Sequence, residues 1–350
     1  MRSTPFYYKA FLLSLLITGI SCAGKKENKQ EQPPTQAPAG MVWVPGGSYT
    51  VGSQDEHANR SEGPAYEVEV SGFWMDETEV TNAQFRKFVE ATGYKTVAER
   101  PVDWEELKKQ VPPGTPKPAD SLLQPGSLIF HPSEVANLYD LSQWWAWSIG
   151  SNWQHPYGPE SNIDGKDNHP VVHIAYEDAV AYANWAGKRL PTEIEWEVAA
   201  RGGKHQSFQW GEELTPEGKY LANFFQGGFP YNNMPKDGFE KSAPVKSYPA
   251  NAYGLYDMIG NVWEWTSDWY RPDTHVRNSQ AQNEKARVNP VGPPRSYDPN
   301  DPMTPKRVTK GGSFLCSDQY CSNYRPSARM ATAYDSGQEH LGFRLVRSAQ

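Results

Sequence analysis

The sequence predicts a single α+β domain that is rich in loops, with few helices and short strands. Composition is the first reason. The chain carries 13 Trp and 19 Tyr beside 29 Gly and 30 Pro, so a core of aromatic rings must be joined by many turns, and long regular helices are few. The second reason is the alternation of apolar and polar side chains over Met41–Thr50 and Tyr66–Phe73, the period of half-buried antiparallel strands. The third is a pair of capping boxes, Thr81-Asn82-Ala83-Gln84 and Thr192-Glu193-Ile194-Glu195, each marking a helix start.

The chain divides into three parts. Met1-Arg2 and Lys9 precede an apolar run from Ala10 to Ile20, the pattern of an export signal and too short to span a bilayer. Gly19-Ile20-Ser21-Cys22 resembles a bacterial lipobox, so 1–22 is expected to be a signal peptide with lipidation at Cys22, in the cell envelope or periplasm. An ordinary cleaved signal with a soluble secreted product is the alternative. Residues 23–40 hold charges and Pro33, Pro34 and Pro38 but no large apolar side chain, the composition of a flexible tether. The body, 41–350, is expected to be one domain.

Within the body, Pro45-Gly46-Gly47-Ser48 makes a turn inside the first extended stretch. Val80 and Phe85 flank the first capping box as a hydrophobic staple, and Phe85, Phe88 and Val89 share a helical face. The stretch from Lys95 to Gln143 is rich in Pro and charge with weak periodicity, and is expected to run irregularly over the surface. A second helix is expected over Tyr176–Ala186, closed by Gly187, with Ala179, Tyr182, Ala183 and Ala186 as a stripe suited to close packing. A third follows Thr192, buries Trp196, Val198 and Ala199, and ends at Gly202-Gly203.

A net charge of -7 gives no basic stripe for nucleic acid. The chain has 3 Cys. If Cys22 carries lipid, Cys316 and Cys321 remain as an isolated pair. In an exported chain that pair is either a local disulfide or, when reduced and close, a site for a soft low-coordinate ion, of which Cu(I) is the best match. A structural zinc would want four ligands.

Arg307-Val308-Thr309-Lys310-Gly311-Gly312-Ser313-Phe314-Leu315-Cys316, followed by Tyr320-Cys321 and closed by Leu341-Gly342-Phe343-Arg344, resembles the active-site segment of formylglycine-generating enzymes, the sulfatase-modifying factor family. The resemblance extends to Trp153-Gln154-His155-Pro156, His169-Pro170-Val171-Val172-His173, Gly187-Lys188-Arg189-Leu190-Pro191-Thr192-Glu193, and Gly254 through Trp265. It implies that family's fold, distantly C-type lectin-like. It also implies a copper-dependent oxidase that uses dioxygen to convert the cysteine of a sulfatase Cys-x-Pro-x-Arg motif into formylglycine. Cys316 and Cys321 then bind Cu(I), and Ser313 and Trp263 line the oxygen pocket, offering a hydroxyl and an indole N–H to developing negative charge. The same resemblance implies two structural Ca2+ sites. One uses Asn223, the Phe224 carbonyl, Asp237 and the Phe239 carbonyl; the other uses Asp257, the Gly260 and Val262 carbonyls and Glu264. The implied partner is an unfolded sulfatase polypeptide met by a membrane-anchored monomer.

His169-x-x-x-His173 has metal-ligand spacing, but it sits in a β-branched, apolar run and reads as a pair of satisfied core histidines. The rival to the enzyme is a non-catalytic surface lipoprotein that uses the same scaffold for binding or assembly. The two late cysteines argue against it.

Overall fold

The computed structural model describes residues 36–134 and 143–349, together with Pro33, Asn137, Leu138 and Asp140. The expected signal, Cys22 and most of the tether lie outside the described residues. The elements are β1 (Met41–Val44), β2 (Gly47–Val51), β3 (Tyr66–Val70), β4 (Phe73–Asp76), α1 (Asn82–Thr92), α2 (Trp104–Leu107), β5 (Gly126–Phe130), β6 (Trp145–Ile149), α3 (Tyr176–Trp185), α4 (Glu193–Arg201), β7 (Gly227–Gly228), β8 (Asn232–Asn233), β9 (Trp263–Trp269), α5 (Thr274–Ser279), β10 (Lys306–Lys310), β11 (Met330–Ala333), β12 (Leu341–Gly342) and β13 (Val346–Ser348). Short strands and few helices separated by long loops make this the α+β, loop-rich arrangement that the composition dictates.

Local chemistry places the helices. Thr81 Oγ1 accepts from Gln84 N at 3.3 Å and Gln84 Oε1 from Thr81 N at 2.9 Å, and Thr192 and Glu195 repeat the exchange at 3.1 and 2.8 Å. Gly93 and Gly202 close α1 and α4 in the left-handed conformation, which costs a residue without Cβ nothing. The stripe on α3 is buried at Ala179, Tyr182 and Ala183, while Ala186, which caps the helix, is only half-buried. Its Tyr182 ring packs on Phe85 and Phe88 of α1 and on Phe343.

The extended stretch Met41–Thr50 is two strands in different sheets. Pro45 has no N–H to continue a ladder, so β1 pairs with β4 in the sheet β1-β4-β13 while β2 pairs with β3. In β3, Tyr66, Val68 and Val70 are buried and Glu67 and Glu69 exposed, as alternation requires. The sheet that positions the site has the order β11-β10-β9-β12, antiparallel except for the β12–β9 pair.

One expectation is corrected. The stretch from Lys95 to Gln143 is not wholly an excursion, because its end forms β5, which pairs in register with β6 from Gly126↔Ile149 to Phe130↔Trp145. Phe130 and Trp144 enter a buried aromatic cluster with Phe225, Phe229, Phe314 and Leu315. The strand carries no clear alternation, since Gly126 is buried against β6 and Ser127 and Phe130 through contacts to distant loops.

Candidate functional site

The site is built by a glycine turn at the end of β10. Gly311 and Gly312 take φ of 95° and 76°, and a Cβ on Gly312 would lie 3.0 Å from Tyr324 Cα, so a side chain has neither the backbone angle nor the room. The chain that follows is pinned by main-chain bonds. Phe314 N donates to Asn261 O, Cys316 N to Ser313 O, Cys321 N to Ser317 O, and Phe225 N to Cys316 O, each at 2.9 Å. Two separate turns thereby bring the thiols together, with Sγ atoms 3.0 Å apart and unbonded. A disulfide holds its sulfurs at about 2.0 Å.

The two thiols differ in surroundings. Cys316 is buried and Cys321 partly exposed. Burial and the neighbouring sulfur push the Cys316 thiol well up, while the hydrogen bond from Cys316, with Asn323 Nδ2 at 3.3 Å, holds Cys321 down. Cys321 is thus the first to become thiolate, stabilised by the S–H of its partner.

Both cysteines line a cavity of about 420 Å³ with Trp263, Ser313, Met330, Gln338 and His340, beneath aromatic walls from Trp144, Trp145, Phe229 and Tyr320. The structure therefore brings together all four side chains, Cys316, Cys321, Ser313 and Trp263, that the resemblance put in one site. A larger groove of about 760 Å³ between β4, α3 and α4 shares none of these residues and holds no cysteine, so chemistry rather than size marks the site.

The polar groups at the cavity are unequal. Trp263 is buried with its indole N–H unpartnered, whereas the indole of Trp265 donates to Ile174 O at 2.8 Å. A buried donor left unmade costs about 1–3 kcal/mol, and on a residue that lines the cavity it suits a developing anion; the indole N–H of Trp144, on the same cavity, is also unmade. Ser313 Oγ lies 2.9 Å from His340 Nδ1 and accepts from Leu315 N at 3.2 Å, while His340 Nε2 lies 2.9 Å from Gln338 Oε1. Burial holds the His340 pKa down to about 3, so its ring is neutral.

Among the described residues, no three His, Cys, Asp or Glu side chains converge as a metal cage. A cation must be held by the thiols alone, or by one or two side chains with carbonyls. Two adjacent sulfurs fit a soft, low-coordinate ion. Of the residues implied for the first calcium site, Asn223 Oδ1 is buried without a partner. The Asp237 carboxylate accepts from Phe224 N and Phe239 N at 3.0 and 3.1 Å, and the Phe224 carbonyl accepts from Gln226 Nε2. In the second set, which also draws on the Gly260 and Val262 carbonyls, Asp257 Oδ1 is likewise unpartnered. Glu264 is more committed. It receives Arg344 on both oxygens at 2.7 Å and the Trp196 indole on one at 2.7 Å, which leaves one lone pair on Oε1. A further acid absent from the sequence reading, Glu79, is buried with Oε2 3.7 Å from the Arg344 guanidinium and without a hydrogen bond. Its carboxyl is raised by burial and by the charge of Asp257. Glu79, Asp257 and Glu264 are buried near the guanidinium of Arg344, and burial raises the Glu79 and Asp257 carboxyls, so a hard cation held there by one or two of them with carbonyls would favour their ionised forms.

His173 is buried, with Nδ1 2.8 Å from Ser127 Oγ and Nε2 2.8 Å from Pro156 O. Both nitrogens are used, and none is free for a metal. His169 Nδ1 lies 3.4 Å from Ser242 Oγ.

Sequence reasoning missed His340, Gln338, Trp144 and Trp145 as well as Glu79. For His340 a signal existed, its position directly before Leu341-Gly342-Phe343-Arg344. Trp144 and Trp145 follow a segment with no readable period.

Comparison with known proteins agrees with this geometry. The family model described as the sulfatase-modifying factor enzyme 1-like domain matches residues 26–349. A formylglycine-generating enzyme of Thermomonospora curvata is 44% identical over 317 residues, covering 89% of this chain and 95% of that protein. The formylglycine-generating enzyme of Bos taurus is 40% identical over 338 residues, covering 94% and 82%. Among solved structures, PvdO from Pseudomonas aeruginosa superposes with a TM-score of 0.58 at 22% identity, covering 88% and 94%, a likeness of fold.

Proposed function

The chain belongs to the sulfatase-modifying factor family, and from that membership we propose that it is itself a formylglycine-generating enzyme, oxidising the cysteine of a sulfatase Cys-x-Pro-x-Arg segment to an aldehyde. The observation that carries this reading is the pair of unbonded thiols, 3.0 Å apart, lining a cavity with an unpartnered indole N–H. Cys316 and Cys321 would hold a copper ion, which when bound supplies the one-electron chemistry that lets a thiol react with dioxygen. The chain's own residues do the rest. The aromatic walls exclude water and confine an extended peptide. The Trp263 N–H meets negative charge as it develops. In balance the substrate carbon gives up two electrons, dioxygen accepts these and two more from an external reductant, and sulfide and water leave. The export signal read from the first 22 residues would place this chemistry outside the cytoplasm.

Calcium at the two oxygen-rich loops completes the reading. Its supports are the buried oxygens of Asn223 and Asp257 that no hydrogen bond reaches.

The direct test incubates a Cys-x-Pro-x-Arg peptide with the copper-loaded protein, reductant and oxygen, and follows the mass change from cysteine to aldehyde. An unchanged peptide overturns the proposal. A non-catalytic binding lipoprotein would instead take up no stoichiometric Cu(I), which a metal titration reads independently of turnover.

A further inference from the structure

The hydroxyl of Ser313 has one proton and two candidate acceptors, the imidazole Nδ1 of His340 at 2.9 Å and the sulfur of the adjacent Cys316. A neutral imidazole nitrogen is a strong acceptor and sulfur a weak one, so the proton goes to the ring wherever Nδ1 is bare. Gln338 decides that point. Its Oε1 is 2.9 Å from His340 Nε2, and an amide oxygen only accepts, so Nε2 carries the ring hydrogen and Nδ1 carries none. Packing holds the ring in place, because His340 is buried, lies tilted against Trp145 and is edge-on to Phe314. Ser313 Oγ also accepts from Leu315 N at 3.2 Å. With its proton directed to His340 and one lone pair filled, it keeps one lone pair for a hydrogen donor in the cavity.

We propose that His340 is a positioning residue for Ser313: it draws the serine proton away from the cavity, so that Ser313 meets the incoming cysteine as a hydrogen-bond acceptor for its S–H. The donor role at this site then belongs to the Trp263 N–H, whereas the resemblance had suggested that both residues donate. This inference rests on the reading of the chain as a cysteine-oxidising enzyme. Its physical content is that Ser313 orients the substrate thiol beside Cys316 and Cys321 before the thiol loses its proton. His340 contributes only through Ser313.

The first test needs neither copper nor turnover. Nitrogen NMR of the full chain labelled in histidine should show His340, identified by its loss in His340→Asn, as the tautomer with hydrogen on Nε2, and its Nδ1 signal should move in Ser313→Ala. A hydrogen on Nδ1, or no response to Ser313→Ala, overturns the assignment. The second test uses peptide oxidation. His340→Leu and Ser313→Ala should each lower kcat roughly ten- to a hundredfold, as a misplaced reactant does, with KM changed by less than about threefold. The double variant should be no slower than Ser313→Ala alone. His340→Asn, whose Oδ1 replaces Nδ1 as acceptor, should recover most of the rate and shows that loss in the leucine variant is not misfolding. Losses that multiply in the double variant, or an asparagine variant as slow as the leucine one, overturn the proposal. A wild-type chain that leaves the peptide unchanged sinks the enzymatic reading and the catalytic role together, while the NMR result reports on the hydrogen bond separately.

Discussion

Trp263 and Glu264 are neighbours on β9 and face opposite ways, and they meet opposite conditions. Trp263 turns to the cavity with a buried N–H that nothing accepts. Glu264 turns to the packed side and is held by Arg344 and the Trp196 indole. The same contrast runs along β10. Lys310 lies fully buried, ion-paired with Glu197 at 3.5 Å without a hydrogen bond, in a network where Arg329 grips Glu193 through two bonds of 2.7 Å, and three residues later Ser313 opens onto the thiols. One face of this sheet is a scaffold of buried, paired charges, and the other keeps polar groups in reserve. Charges buried for structure must be paired, while a group kept for reaction is left partly unmade until substrate arrives.

If that division is right, changes on the two faces should separate cleanly into activity and stability. The largest effect is expected at the thiols: Cys316→Ser or Cys321→Ser should reduce aldehyde formation by at least about a thousandfold, with the thermal transition nearly unmoved. Either variant retaining the activity would break the comparison on its functional side. On the scaffold side, Arg344→Met strands the carboxylates of Glu264 and Glu79 and should destabilise the fold by about 3–5 kcal/mol, measured by urea unfolding. A second change, Glu264→Gln, should recover part of that loss.

Trp263→Phe keeps a ring in place and removes the N–H, so kcat should fall roughly a hundredfold while the protein remains folded by circular dichroism. A larger loss of stability than of rate would show that this indole is scaffold after all. If calcium fills the two loops as proposed, removing it with a chelator should lower the melting temperature, and restoring it at about a hundred times its Kd should return about 2.7 kcal/mol. Glu79→Gln should weaken that recovery.

The smallest effect concerns acid. Burial holds the His173 pKa down to about 4, against an ordinary value near 6.5. Between these values the unfolded chain binds the proton and the folded one does not. The contribution of His173 is therefore complete above about pH 6.5 and is lost as pH falls toward 4. Buried Asp178 and Asp268, both raised to about 7 mainly by burial, act with the opposite sign, but they are common to wild type and His173→Asn and cancel in the difference. Asparagine also tolerates the φ of 61° that His173 adopts. The stability gap between the two proteins should narrow by about 2 kcal/mol between pH 7 and pH 5. A gap that does not change with pH would mean that His173 titrates normally in the folded chain.

What was legible beforehand was local. Thr81 with Gln84, Thr192 with Glu195 and the glycines that end α3 and α4 act within one turn of chain, where spacing alone specifies the hydrogen bonds. The alternation of β3 was legible for the same reason. β5 was not, because Ser127 and Phe130 are buried by contacts with Gly337 and Glu339, more than 200 positions away, and such contacts leave no period in the sequence.

By itself the sequence determined which atoms are available: two late thiols beyond a double glycine, an indole beside a glutamate on one strand, and oxygen-bearing side chains in the loops. The tertiary structure decided which of them meet. His340 reaches Ser313 across 27 positions, and Glu79 is buried beside Asp257 from the far end of the chain. β12 brings the first contact in and β4 leads into the second, and the packing of loops that fixes both obeys distance and burial rather than any repeat along the chain.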